Sequence, residues 1–215
     1  LPHIKLAKEI VSSGVIGEVI STSVNFLDYR NKGYWESAPW RSNSDKGGGG
    51  VLILHARHSI DYIHYIVGNS VSKVSGFSTH KYPNLPVEDS ISATYKYQNG
   101  AIGSINASFS HMGNPMINER ITGTEGTIEL DFFGNKCKLF SRKSSKFGKA
   151  GYLHNLTDSS PTQNVVASWI DEFVEAIENN EDPVIDGHQG FENLLFINSV
   201  YRSIEEKSVI NLNYE

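Results

Sequence analysis

Residues 47–68 read GGGGVLILHARHSIDYIHYIVG, and the folding of that stretch decides how the rest of the chain is arranged. Gly47 to Gly50 free the backbone for a sharp entry, the residues that follow carry helical periodicity, and Gly68 stands where a helix takes a left-handed cap. The spacing predicts one α-helix running from the glycines to Gly68. On it Leu54, His58, Asp61 and Tyr65 fall on one face, while Leu52, Ala56, Ser59, Ile63 and Ile66 make a mostly apolar stripe for the core. Buried polar groups cost free energy unless paired, so a His, an Asp and a Tyr in a row on such a helix mark a site more often than an accident.

Upstream, residues 3–13 place Ile4, Leu6 or Ala7, Ile10 and Val11 at helical spacing before Gly14 and Gly17, and residues 18–26 alternate as a strand. Residues 27–46 form a connection dense in aromatic and polar side chains. Downstream the pattern turns to β. Residues 70–79 and 90–98 read as strands, and Ile91, Ala93, Tyr95 and Tyr97 alternate against Ser90, Ser92, Thr94 and Lys96. Asn99-Gly100 is a strong hairpin signal, with a return strand over Ala101–Phe109. A second hairpin turns at Gly123–Gly126, and a strand over Lys136–Ser141 follows Gly134-Asn135.

Residues 142–160 show no periodicity, and a loop of this length is a candidate to close over a pocket, with Tyr152 and His154 inside it. Ser160-Pro161-Thr162-Gln163 has the form of a capping box opening a helix whose buried stripe would be Val166, Trp169, Ile170, Phe173 and Ile177. A last helix from near Asp186 would turn Leu194, Ile197, Tyr201 and Ile204 inward, before a closing strand with Ile210, Leu212 and Tyr214. These elements predict one α+β domain over residues 1–215, a large, mostly antiparallel open sheet with helices packed on one face.

Composition narrows the function classes. Hydrophobic residues make up 39% of the 215 and charged residues 20%, which suits a soluble core-forming domain. A net charge of −5 offers no basic stripe for a nucleic-acid backbone. No apolar run has membrane-spanning length, and the first twenty residues lack signal-peptide order. The single Cys137 rules out an internal disulfide framework and fits a reducing cytoplasm. The chain starts at Leu1 without an initiator Met and reads as a fragment or processed piece.

The glycine run does not meet the Gly-x-Gly-x-x-Gly dinucleotide fingerprint and reads as a packing turn. His55, His58, Asp61 and His64 recur every three residues and spiral round the helix, so no metal site is expected; His64 reads as a boundary residue. His58 is the candidate for proton transfer, with Asp61 placed to orient it. Spacing leaves a core histidine bonded to a carboxylate equally open. Arg30, Tyr34, Trp35, Trp40 and Arg41 cluster ahead of the helix, and such a set suits sugar rings or phosphates as well as ordinary packing. Cys137, between lysines, reads as a half-buried strand residue. The small hydroxyl residues on one sheet face are compatible with a solvated face or with a surface that pairs with a second subunit.

Trp40-Arg41, the glycines, His58 and Asp61 together resemble the C-terminal domain signature of the GFO/IDH/MocA oxidoreductases. SSGVIGEVIS, VEDSISATYKYQNGAIGSINAS, ITGTEGTIEL and the closing FVEAIENNEDPVIDG…YRSIEEKSVINL match further family segments in the same order. YRNKGYWESAPWR resembles members acting on sugars and nucleotide sugars. The resemblance implies a substrate-binding and oligomerisation domain of an enzyme that passes hydride between NAD or NADP and a secondary alcohol carbon of a sugar, nucleotide sugar or inositol. It implies His58 as the acid/base group and Arg30, Tyr34, Trp40, Arg41 and His55 as substrate contacts. It also implies that NAD(P) belongs to an N-terminal Rossmann domain, absent from this chain, so that the chain alone is inactive and binds no cofactor. A homo-oligomer would form through the sheet face. The family carries Asp or Asn four residues before the His, where this chain has Leu54; His55, about 100° round an α-helix, is the nearest polar substitute. Leu54 favours the rival expectation, a non-catalytic sugar-binding or oligomerisation module that kept the fold.

Overall fold

The alternation on either side of Asn99-Gly100 builds the middle of the sheet. β3 (Ser90–Tyr97) and β4 (Ile102–Ser108) pair antiparallel. Gly100 turns with φ +94°, and the Asn99 side chain accepts the Ala101 N–H at 3.0 Å. The computed structural model describes residues 1–68, 70–81, 85–132, 135–156 and 165–214, with backbone alone for residues 165–168. Around the hairpin stand β1 (Val19–Leu27), β2 (Val71–Thr79), β5 (Met116–Gly123), β6 (Gly126–Asp131), β7 (Lys136–Ser141), β8 (Leu153–Asn155) and β9 (Ile210–Asn211). They form one sheet in the order β8-β7-β6-β5-β1-β4-β3-β2-β9. β1 runs parallel to β4, and the other strand pairings among the described residues are antiparallel.

Three helices cover one face. α1 (Pro2–Ser12) lies over β6 and β7, and α6 (Gly187–Glu205) over β2 and β9. Between them α4 (Arg57–Val67) lies over β1 and β5. Ile4, Ala7 and Ile10 of α1, Ile60, Ile63 and Ile66 of α4, and Phe196, Ile197 and Val200 of α6 are buried against Val24, Ile105, Ile121 and Ile128 of the strands. This is the α+β open sheet that the sequence patterns predict. The opposite face is mainly polar, with Phe77 and Ile102 exposed on it. Across it Ser92 donates to Asn106, Asn106 to Asn25 at 3.5 Å, and Asn25 to Asn118 at 3.1 Å, a side-chain ladder over β3, β4, β1 and β5.

Several expectations need correction. In α5 (Val165–Asn179) the stripe expected to be buried faces outward: Trp169, Ile170, Phe173 and Ile177 are between 56% and 64% exposed. The Val166 side chain and the Ser160–Gln163 cap lie outside the described residues. In α6 Leu194 is exposed, and Phe196 and Val200 take core positions beside Ile197. Cys137 is fully buried and its thiol is pushed up to about 12 by burial, so the half-buried reading gives way to a core residue. Of the stretch expected to be a closing loop, the described residues 142–156 are held at the far edge of the sheet. Residues 153–155 are β8 at the sheet edge, four strands from β1, and Lys146 pairs with Glu9 of α1.

Candidate functional site

The glycine run is shaped by one carboxylate. α3 (Ser44–Gly47) is capped by the Asn43 side chain and ends at Gly48, whose φ of +77° is a left-handed conformation suited to glycine. A Cβ on Gly50 would lie 1.7 Å from the Glu88 carbonyl oxygen. That carbonyl accepts the Val51 N–H at 3.1 Å, and the Glu88 carboxylate accepts Gly50 N–H at 2.7 Å, Leu52 N–H at 3.1 Å and the Tyr201 hydroxyl at 3.0 Å. Burial still holds the Glu88 carboxyl above its ordinary value. Helix N-terminal amides bind phosphates when free. Those of Gly50, Val51 and Leu52 are already taken by Glu88, which supports the packing-turn reading.

The helix itself departs from the expected single α-helix. Leu52–Ala56 is a π-helix, and the α-geometry of α4 begins at Arg57 and ends at Gly68, which caps with φ +63°. A π-turn carries extra residue per turn and often occurs at functional sites. Spacing counted at 3.6 residues therefore fails across residues 52–56. Leu54 packs partly buried against the core, while His55 enters a ring of aromatic side chains.

That ring gathers all five residues expected to contact substrate. Tyr34 sits on α2 (Lys32–Glu36), whose start is fixed by the Asn31 side chain accepting the Tyr34 N–H. The Tyr34 hydroxyl is 3.1 Å from His55 Nε2. The His55 ring lies 5.0 Å from Phe109 and 6.0 Å from Phe26. Arg30 lies 5.5 Å from the centres of the Tyr34 and Phe109 rings; Arg41 is 4.7 Å from that of Tyr34 and 5.0 Å from that of Trp40. Trp35, in contrast, is core. Burial first, then the Arg30 charge, bring His55 down to about 4, so it is neutral at pH 7.

His58 lies one turn further on, exposed at the surface of α4. Partial desolvation and then the Arg57 charge lower its pKa, with Asp61 pulling the other way, so it too is neutral at pH 7 and able to accept a proton. The orienting role expected of Asp61 is not what the hydrogen bonds show. Its Oδ1 accepts Asn193 Nδ2 at 2.6 Å, and Asn193 Oδ1 faces His64 Nδ1 at 2.7 Å. Asp61 and His64 thus lock α4 to α6, and Asp61 touches His58 only through its field. His64, expected at a boundary, packs edge-on to Phe196 with ring centres 5.2 Å apart.

Sequence reasoning missed Glu88, Tyr201, Asn193 and Phe109. Each acts across a long separation in the chain, so no local pattern announces it. Asp28, 2.7 Å from the Arg30 guanidinium, had a local signal in its i,i+2 spacing. Among the described residues no group of three or more His, Cys, Asp or Glu converges to hold a metal ion, and no helix is long and apolar enough to cross a membrane.

The family model described as "Oxidoreductase family, C-terminal alpha/beta domain" matches residues 8–212. The chain belongs to the GFO/IDH/MocA oxidoreductase family. It is similar to levoglucosan dehydrogenase of Pseudarthrobacter phenanthrenivorans, 28% identical over 160 residues that cover 61% of this chain and 40% of that protein. It is also similar to 2,7-anhydro-N-acetylneuraminate hydratase of Escherichia coli, 25% identical over 134 residues, 60% of this chain and 34% of the relative. A solved levoglucosan dehydrogenase in complex with NADH and levoglucosan shares the fold, with a TM-score of 0.84 at 21% identity, covering 100% of this chain and 64% of that one. The chain therefore spans less than two thirds of the length of each. In this GFO/IDH/MocA domain the residue four before His58 is the half-buried Leu54, and the polar neighbour that faces the aromatic ring is His55.

Proposed function

We propose that this domain holds the substrate of an NAD(P)-dependent oxidoreductase acting on a secondary alcohol carbon of a sugar, nucleotide sugar or inositol, with His58 as the proton-transfer residue. The observation that carries the reading is the convergence of Arg30, Tyr34, Trp40, Arg41 and His55 into one aromatic and cationic ring, a turn before a neutral His58. Aromatic faces suit the C–H face of a sugar, and arginines suit its oxygens. The relatives support the class: one is named a dehydrogenase of a sugar anhydride, and its solved form contains NADH. The other is named a hydratase, and a residue that takes and returns a proton serves either reaction.

The cofactor, which accepts or donates hydride, belongs in this reading to a separate Rossmann domain, because the amides of Gly50, Val51 and Leu52 that open the helix are occupied by Glu88. This chain contributes the rest. The aromatic ring orients the sugar, Tyr34 fixes His55 as a hydrogen-bond partner, and His58 takes the hydroxyl proton during oxidation and returns it during reduction. In the complete enzyme, His58→Asn should cut turnover by about 10² or more, the usual worth of general acid–base catalysis. Unchanged turnover would favour the second reading, a non-catalytic sugar-binding or oligomerisation module, for which the apolar Leu54 speaks.

The open sheet face is proposed to pair with a second copy. Phe77, Ile102 and Met116 are exposed on its strands beside the polar ladder. Sedimentation of the domain should show a dimer or larger species, and a clean monomer at high concentration would remove this part.

A further inference from the structure

The two arginines on Tyr34 are held differently. Arg30 is neutralised: its Nη1 is 2.7 Å from Asp28 Oδ2 and donates to the Tyr29 carbonyl at 3.1 Å. Arg41 has no carboxylate within ion-pair distance among the described residues. Its guanidinium lies between the rings of Tyr34 and Trp40, its Nη1 donates to Ser37 Oγ, and its Nε is buried with no hydrogen-bond partner. An unpaired buried donor costs free energy, and more when it is charged. A partly buried cation without a counter-ion adds to that cost. The fold accepts this at the edge of its aromatic ring, next to a Trp40 that is 43% exposed.

The surroundings do not offset the charge. The charged groups whose fields act on His55 at the ring's centre at pH 7 are the cations Arg30 and Arg57, with Asp28 as the one acid. Asp28 is already bound to Arg30. The ring is thus an aromatic surface on which Arg30 is paired and the Arg41 guanidinium is left over.

We propose that the substrate is an anionic sugar, whose carboxylate or phosphate pairs with Arg41 while its ring lies against Trp40. The inference rests on the sugar-site reading above and narrows it to acid or phosphorylated sugars. The shared chemistry is a compact oxyanion on a pyranose, which a guanidinium meets with two parallel N–H donors.

Calorimetric titration of this 215-residue chain with D-glucuronate, D-glucose 6-phosphate and D-glucose at low ionic strength tests it. One or both anionic sugars should bind at least about ten-fold more tightly than glucose, and the stronger of the two identifies carboxylate or phosphate. Arg41→Gln should abolish the preference, bringing the affinities of the three sugars to within about two-fold of one another. Arg41→Lys, which keeps the charge but not the fork, should retain part of it. Near-UV circular dichroism checks that each variant keeps its aromatic packing. Equal binding of all three sugars would overturn the inference and leave the sugar-site reading standing, as would a preference that survives in Arg41→Gln. Binding of none of them would overturn both.

Discussion

α4 and α5 carry the same kind of apolar period and meet opposite fates. In α4 the stripe of Ile60, Ile63 and Ile66 is buried between α1, α6 and the sheet, and the polar residues beside it are bonded across to α6. In α5 the equivalent stripe of Trp169, Ile170, Phe173 and Ile177 faces outward, with Ala176 alone buried among its described side chains. A 3.6-residue repeat states that a face is apolar. It does not state what covers the face, and burial on folding contributes stability where a covering surface exists.

That difference can be broken or sharpened by substitution. The largest effect should come from Ile63→Ala, which leaves a cavity under α4 and should cost about 2–5 kcal/mol in urea denaturation. Next is Glu119 of β5, beneath α4, where burial pushes the carboxyl up to about 7 from 4.5; Ser59 donates to it and its Oε1 is unpaired. Because the folded-state pKa is the raised one, the stability that protonated Glu119 provides is complete below about pH 4.5 and is lost as pH rises through 7. Glu119→Gln stays neutral, so it should stabilise the domain by on the order of 2–3 kcal/mol at pH 8 and by little at pH 4. An equal shift at both values would show that Glu119 is not titrating there. The smallest effect should be Phe173→Ala on the exposed α5 face, within about 0.5 kcal/mol. A cost matching Ile63→Ala would mean that α5 is covered after all and that the contrast is false.

The elements that read most clearly from sequence are those whose signals are local. The Asn99-Gly100 hairpin, the alternation of β3 and β4, the stop at Gly68 and the inward face of α1 all depend on neighbours a few residues away, and all stand as expected. What escaped notice depends on distant partners. Nothing near residues 47–56 announces that Glu88 takes three backbone N–H groups there, or that a π-helix turns His55 toward Tyr34 and Phe109. Asp61 was the natural partner for His58 on a helical wheel; the hydrogen bond from Asn193 on α6 gives it another role. The residue types of the candidate site were legible, because arginines and aromatic residues crowd the segment before the glycines. Their arrangement was not, because two short helices and a π-turn set it.

The central claim is that this chain supplies the substrate platform and a proton-transfer histidine, while the nucleotide is held elsewhere. Calorimetry with NAD and NADP titrated into the 215-residue chain tests that claim most directly. The Glu88-occupied amides at Gly50, Val51 and Leu52 predict no detectable binding of either. Saturable micromolar binding would contradict the account and place the cofactor on this domain.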